Sequence, residues 1–430
     1  MSIRLKGVVP FICLILFFSC ASKQEYTILE KTSKTFPDCR FLVMTDPHYL
    51  SGDLFNEGKA FNNHLLWKKG NLTGQGAEIL AGFAEKAASE APDFIIVPGD
   101  LTNDGERQSH IDLARYFKLL EEEGTEVFVI PGNHDIDHPY ARSFLGDRAY
   151  PTESLSAGEF LTLYEDFGYN QALNRDLYSL SYTARPVEGL TILGLDSCVY
   201  GEGYGYIRDE TMVWLKTELH QAAARGDALI LYMHHPLLDH FPGQGKEKEM
   251  ALKNREELRE LLQAYGVNLV FTGHYHAQDI VSHQSYDETI FDVETGALIS
   301  WPFAYRLLEA GGSTITITGK SLEDNILEGE GRRLSYESIY RFSNTFLARY
   351  KVNKKDREAI SDYVSNVLLN HYGGNENRAD QPEKPKGLSL WGKLALRAGK
   401  KYYEGRMTDL PPDDRSIEID LRTGEWTPLP

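Results

Sequence analysis

Thiol is scarce in this chain: of 430 residues only four are cysteine, and two of these, Cys13 and Cys20, fall within the first twenty. Cys39 and Cys198 are all that remain for the body of the protein, too few for a disulfide framework and without the spacing of a thiolate metal site. Both are expected to be unpaired core residues. Positive charge is also short, with 45 Lys and Arg against 63 Asp and Glu, a net charge of −18. That balance argues against a nucleic-acid duplex as partner, because phosphate backbones are held mainly by Lys and Arg. Any anionic substrate must meet positive charge supplied locally. Long apolar runs are missing apart from "VVPFICLILFF" near the N-terminus, which is shorter than the roughly 20 residues a bilayer span needs. No internal repeat is visible.

What is present suits a large packed core. The chain is 42% hydrophobic and 11% aromatic, enough for one large domain or two unequal ones. At the N-terminus, Arg4 and Lys6 precede the apolar run, which ends at Ser19 and Cys20. Basic, apolar and small residues in that order are an export signal. A cysteine at the expected cleavage point resembles a bacterial lipoprotein signal spanning residues 1–20, which implies a lipid on Cys20 and a membrane-anchored place in the cell envelope. An ordinary cleaved secretory signal and an uncleaved anchor are the alternatives.

From residue 38 to about 320, strand-like runs ("FLVMT", "FIIVP", "VFVIP", "LTILGL", "ALILYM", "NLVFT") alternate with apolar residues at helical spacing, such as Ile79, Leu80, Phe83 and Ala87. This rhythm predicts a layered α/β domain over 38–322. "QSYDETIFDVETG" and "STITITGKS" alternate as half-buried strands and predict an antiparallel close. Residues 323–430 change character and predict a small, mainly helical C-terminal domain, with its last helix running from Leu388 to Tyr402.

Five of the predicted strands end in polar clusters. "MTDPHY" brings Asp46 and His48; "VPGDLTNDG" brings Asp100, Asn103 and Asp104; "IPGNHDID" brings Asn133, His134 and Asp135; "YMHHP" brings His234 and His235; "FTGHYHAQ" brings His274 and His276. Parallel strands gather their carboxyl ends along one edge, so residues far apart in sequence become neighbours. Carboxylate, imidazole and amide oxygen without thiolate favour Mn, Fe, Zn or Ni over a structural thiolate zinc. Asp46, His48, Asp100, Asn133, His234, His274 and His276 are too many donors for one ion. Two are implied, with Asp100 as the natural bridge.

In this order the motifs resemble the calcineurin-like metallophosphoesterase superfamily over roughly residues 40–320. The resemblance implies a four-layer α-β-β-α sandwich and two divalent ions, one held by Asp46, His48, Asp100 and His276, the other by Asp100, Asn133, His234 and His274. It also implies hydrolysis of a small anionic phosphoester by hydroxide held between the ions, with His134 protonating the leaving oxygen or steadying its charge. Asn103, Asp135 and His235 would support these groups from behind, although Asp135 and Asp104 could equally be turn residues. Two dications against two carboxylates leave about +2, which lets an acidic protein hold an anion.

"GDLTNDG", "LDS" and "GYIRDETMVWLKTEL" are most similar to the bacterial cyclic-nucleotide phosphodiesterase and glycerophosphodiesterase branch. Asn103 and Asp104 depart from the protein Ser/Thr phosphatase branch, which has Asp and then Arg there. That puts a carboxylate dyad with His134 in question and leaves Asn103 to accept its hydrogen bond. Small phosphodiesters are the expected substrates, with broad phosphomonoesters or a non-catalytic envelope binding role as alternatives. The polar, aromatic loops 50–74 and 138–151 suit a substrate wall or plain surface; His64 and Arg142 are the candidate contacts. The basic segment "KPKGLSLWGKLALRAGKKYYEGR" either lies on an anionic membrane or partner, or packs on the catalytic domain.

Overall fold

Val, Ile, Leu and Phe dominate the runs before the polar clusters, and each run becomes a buried strand. The computed structural model describes residues 30–429 except 248–250, 286, 323–325 and 377–380. The export signal with Cys20, and residue 323 at the expected domain boundary, therefore lie outside the described residues. In chain order the strands are β1 (Phe36–Val43), β2 (Phe94–Pro98), β3 (Glu126–Ile130), β4 (Arg142–Leu145), β5 (Arg148–Pro151), β6 (Asn174–Arg175), β7 (Tyr182–Val187) and β8 (Leu190–Leu195). There follow β9 (Ala228–Met233), β10 (Leu269–Thr272), β11 (Asp279–Ser285), β12 (Glu288–Glu294), β13 (Ala304–Gly312), β14 (Thr314–Ser321), β15 (Ser416–Asp420) and β16 (Glu425–Pro428). The helices that matter below are α1 (Lys59–Leu65), α2 (Gly76–Glu90), α3 (Arg107–Glu122), α4 (Ala157–Leu163), α5 (Asp209–Arg225), α6 (Arg255–Ala264), α7 (Gly331–Arg349), α8 (Lys354–Tyr372), α9 (Leu390–Ala398) and α10 (Lys400–Gly405).

Two seven-stranded sheets carry the fold, ordered β16-β15-β14-β13-β1-β2-β3 and β11-β12-β10-β9-β8-β7-β6. β1, β2 and β3 run parallel, as do β8, β9, β10 and β12. The sheets face each other: the Phe41 ring on β1 meets Phe271 on β10 edge-on at 5.7 Å, and Tyr182 Oη on β7 donates to Val129 O on β3 (3.1 Å). The outer faces are covered by helices, with α2 setting Phe83 against Tyr305 of β13 at 5.6 Å. α3 covers β3, and α5 and α6 cover β9 and β12. This is the four-layer sandwich. Parallel crossovers bring the carboxyl ends of β1, β2 and β3 to the same edge as those of β9 and β10. Cys39 and Cys198 are both buried and unbridged.

The chain beyond 323 is not helical throughout. α7 and α8 pack as a hairpin, but Ile417 and Ile419 of β15 are fully buried and pair antiparallel with β14. Their alternation with polar residues is the period of a strand with one buried face, and it returns the terminus to the first sheet. The helix expected from Leu388 to Tyr402 is two helices that meet at Gly399. α9 leaves Leu390 and Trp391 exposed, whereas α10 turns inward. Because β15 completes the sheet, Ile417→Ala should cost about 2–5 kcal/mol and lower the main thermal transition followed by circular dichroism. An unchanged transition would mean that the C-terminal strands are dispensable to the sandwich.

Candidate metal centre

The polar ends of β1, β2, β3, β9 and β10 converge into two donor sets. Asp46, His48 and His276 form one, with His48 Nε2 and His276 Nε2 3.1 Å apart and Asp46 Oδ1 3.4 Å from His276 Nε2. Asp100, His234 and His274 form the other: His234 Nε2 lies 3.0 Å from His274 Nδ1 and 3.4 Å from Asp100 Oδ2. Asn133 Oδ1 joins the second set at 3.0 Å from His234 Nε2. Asp100 Oδ2 is also 3.5 Å from His48 Nε2, so one carboxylate oxygen stands between the sets.

These residues fit divalent cations. Donors bound at about 2.1 Å in tetrahedral or octahedral arrangement lie about 3.0–3.4 Å apart, which is the spacing seen here. Asp46 Oδ1 is buried without a hydrogen-bond partner, and buried lone pairs left unmatched are costly. His234 Nδ1 is 3.0 Å from Pro98 O. Donating there fixes the tautomer and leaves the Nε2 lone pair facing the other donors.

The local backbone is unusual at these positions. Asp46, His48, Asp100, His274 and His276 all have positive φ, between 38° and 81°, a region L-residues enter rarely but Asp and His more readily than most. Glycines let the strand ends approach: a Cβ on Gly132 would strike Asp100, and one on Gly273 would strike Asp46 and Thr45. Asp135 lies behind the donors. Its carboxylate accepts from the backbone N–H groups of Gly132 (2.7 Å), Leu101 (3.0 Å) and Thr102 (2.9 Å). Burial first, then the charge of Asp100, pushes its pKa up to about 7 against those bonds. His235 is buried with Nδ1 2.9 Å from Ser197 Oγ, its ring 4.6 Å from that of His274.

His134 opens onto the same space. Its backbone N–H donates to Asp100 Oδ1 (2.9 Å), and its Nδ1 lies 2.9 Å from Asp104 Oδ1. A carboxylate dyad therefore exists, formed by Asp104 and not by the position of Asn103. Burial opposes ionisation of Asp104, but Lys68 and the bond from His134 hold its pKa well below the usual carboxylate range. Asn103 turns away from His134: its Nδ2 donates to Asp104 Oδ2 (2.9 Å) and Glu106 Oε1 (2.8 Å), and its Oδ1 meets His64 Nε2 at 3.1 Å.

A cavity of about 670 Å³ opens over both donor sets and His134. The two expected substrate contacts are not in its wall. His64 packs its ring on Phe144 at 4.1 Å, within a small separate core of Leu50, Leu54, Phe61 and Phe144, and Arg142 begins the β4–β5 hairpin that closes that core. The wall is formed instead by Trp67, Lys68 and Lys69 after α1, with Tyr372, Tyr402 and Arg406 from the C-terminal helices. No local pattern marks Tyr372, Tyr402 or Arg406, because only tertiary packing brings them here.

Glu106 behind the dyad gives a pH dependence. Burial and then Asp104 push its pKa up to about 7, above the roughly 4.3 of an unfolded Glu. Between about pH 4.3 and 7 the native state then binds more protons than the unfolded one, so this group's contribution to stability falls as pH rises. Glu106→Gln should flatten the fall in melting temperature between pH 5 and 8; identical slopes for wild type and variant would contradict it.

A model of calcineurin-like phosphoesterases matches residues 39–278. A probable cyclic nucleotide phosphodiesterase of Rhodococcus erythropolis is 27% identical over 202 residues, 46% of this chain and 56% of that protein. A probable glycerophosphodiester phosphodiesterase, GpdQ, of Arcobacter nitrofigilis is 29% identical over 190 residues, 43% of this chain and 57% of that protein. The matches thus span little more than half the length of these curated relatives. Among solved structures, a dimetal phosphatase from Danio rerio is similar with a TM-score of 0.46 at 13% identity, covering 66% of this chain and 97% of that one. Since the matched segment is more than half of the chain, the protein belongs to the calcineurin-like phosphoesterase family.

Proposed function

We propose that the chain is a metal-dependent phosphodiesterase that hydrolyses small phosphodiesters, cyclic nucleotides among the candidates. The observation that carries the reading is the position of Asp100 Oδ2 between two complete donor sets, beside a His134 that opens onto the same cavity. Relatives named as cyclic nucleotide and glycerophosphodiester phosphodiesterases support it. In this reading Asp46, His48, Asp100 and His276 hold one ion, and Asp100, Asn133, His234 and His274 the other. The donor chemistry suits Mn, Fe, Zn or Ni. Bound dications would supply a water of lowered pKa and neutralise charge on the phosphoryl oxygens.

The chain's own residues do the rest. Asp104 holds His134 through Nδ1, which leaves Nε2 free to deliver a proton to the departing oxygen. Asp135 ties the loop that carries Asp100 to the one after β3, and His235 packs its ring behind His274. In the same reading the enzyme is exported and anchored to the cell envelope by a lipid on Cys20, supported by the basic, apolar and small order of residues 1–20.

Two measurements test this. The mature chain, stripped of metal and reloaded with Mn, should turn over an aryl phosphodiester faster than the matching monoester. Asp100→Asn should lower kcat by more than about 100-fold together with metal content, whereas Asp104→Asn should lower kcat by about 100-fold with both metals retained. Preference for the monoester would make it a phosphatase, and no turnover of either with two metals bound would sink the catalytic reading. For the anchor, Cys20→Ser should move the protein from the membrane fraction to the soluble one; retention in the membrane would refute lipidation as its means of attachment.

A further inference from the structure

The matched family segment ends at residue 278, yet part of the cavity wall comes from well beyond it. α7 and α8 grip the turn at 67–70. Ser335 Oγ donates to Gly70 O (3.0 Å), Gly70 N donates to Ser338 Oγ (3.1 Å), and Tyr372 Oη donates to Lys69 O (3.1 Å). Phe342 meets the Trp67 ring edge-on at 5.8 Å, and Arg349 covers that ring at 4.3 Å. Gly70 has φ 109°, and a Cβ there would press on Ile339 and Tyr372 at 3.3 Å, so the turn is fitted closely to these helices. After α10, Arg406 lies between the rings of Tyr402 (3.9 Å) and Phe241 (4.5 Å) and donates to Tyr402 O (2.9 Å). At 6% exposure it is nearly buried against these rings.

Three cations therefore face the cavity, and they differ in what already neutralises them. Lys68 lies 3.6 Å from Asp104 and so belongs to the His134 dyad. Arg406 is paired with Glu247 through both terminal nitrogens, at 3.3 and 3.5 Å. Lys69 is exposed and makes no ion pair among the described residues; its Nζ lies 5.3 Å from the Phe342 ring. In a chain of net charge −18, these three cations line the same cavity as the metal donors. Among the described residues, Glu247 is the only carboxylate lining the cavity apart from Asp100.

We propose that this wall is a second anion subsite: Lys69 and Arg406 bind a negatively charged group on one arm of the diester, so substrates with an added phosphate or carboxylate are preferred over neutral-armed ones. The inference rests on the phosphodiesterase reading for the identity of its substrate. Glu247 opposes the same anion by repulsion and by competing for Arg406. The wall thus contains one residue that weakens binding beside two that strengthen it, which gives the test two signs.

A dithymidine phosphodiester with and without a 5′-terminal phosphate provides the matched pair. For the Mn-loaded mature chain, kcat/KM should favour the phosphorylated form by about tenfold, the scale of one charge-assisted phosphate contact. Arg406→Met and Lys69→Ala should each pull that ratio toward one, Arg406→Lys should keep part of it, and Glu247→Gln should raise it. Loss of a merely structural contact would depress both substrates alike and could not raise the ratio in any variant. Lys69 is exposed, so its variant reads the subsite even if Arg406→Met folds poorly. The same ratio is read as Kd by calorimetry in the His134→Gln background, where turnover is suppressed. A binding preference without wild-type turnover would sustain the subsite and sink the phosphodiesterase reading. Turnover without any preference, or a ratio that Glu247→Gln leaves unchanged or lowers, would overturn the subsite.

Discussion

Backbone that L-residues avoid is the constraint on which the metal centre depends. Asp46, His48, Asp100, His274 and His276 all sit at positive φ, and each such residue costs about 1–3 kcal/mol that its surroundings must offset. The offset comes from buried carboxylates that accept from loop N–H groups. Asp135 ties the loops after β2 and β3 together. Glu294 on β12 accepts from Tyr275 N (2.9 Å), between His274 and His276, and Asp292 accepts from Leu237 N and Leu238 N just after His235. His240 stands among Asp279 (3.2 Å), Asp292 (3.3 Å) and Glu294 (3.8 Å). Burial works against its charge, but Asp292 and Asp279 raise its pKa well above the usual range, so a cation offsets part of the acid behind the second donor set.

That arrangement explains why the acidity of the chain and its chemistry do not conflict. Charges more than about 10 Å apart across the solvated surface are largely screened, so the net −18 says little about the potential inside the cavity. What counts there is the short list of groups that face it: donor sets suited to dications, His134, the cations Lys68, Lys69 and Arg406, and Glu247 opposing them. An anion entering the cavity meets these first.

Much of the donor set was legible in the sequence because each donor follows a strand-like run directly, and strand ends in parallel sheets have one place to go. Spacing placed Asp46 with His48, and His274 with His276, at single strand ends, but it did not divide the sets: His276 joins Asp46 and His48 while His274 joins Asp100 and His234, a division only the family resemblance implied. Three things were not legible. Asp104 replaced Asn103 as the partner of His134, because the turn after Asp100 sends the Asn103 side chain toward Glu106 and His64. His64 and Arg142 looked polar enough to touch substrate, yet the aromatics around them, Phe61 and Phe144, drew α1 and the β4–β5 hairpin into a core of their own. The return of β15 to the first sheet, and of Arg406 to the cavity, are contacts between segments far apart in the chain that no local pattern encodes.

The cavity rim and His134 are also mechanically joined. α7 and α8 fix the turn at 67–70, Lys68 in that turn pairs with Asp104, and Asp104 orients His134. A displacement of the C-terminal helices would therefore reach the dyad through two polar contacts and no flexible linker. Because the 3.6 Å Lys68–Asp104 contact is nearly buried, with side chains 15% and 11% exposed, losing it would leave a carboxylate short of its counter-charge, a costly state in a low-dielectric site. The helices beyond the matched family segment thus hold the turn whose Lys68 pairs with the Asp104–His134 dyad.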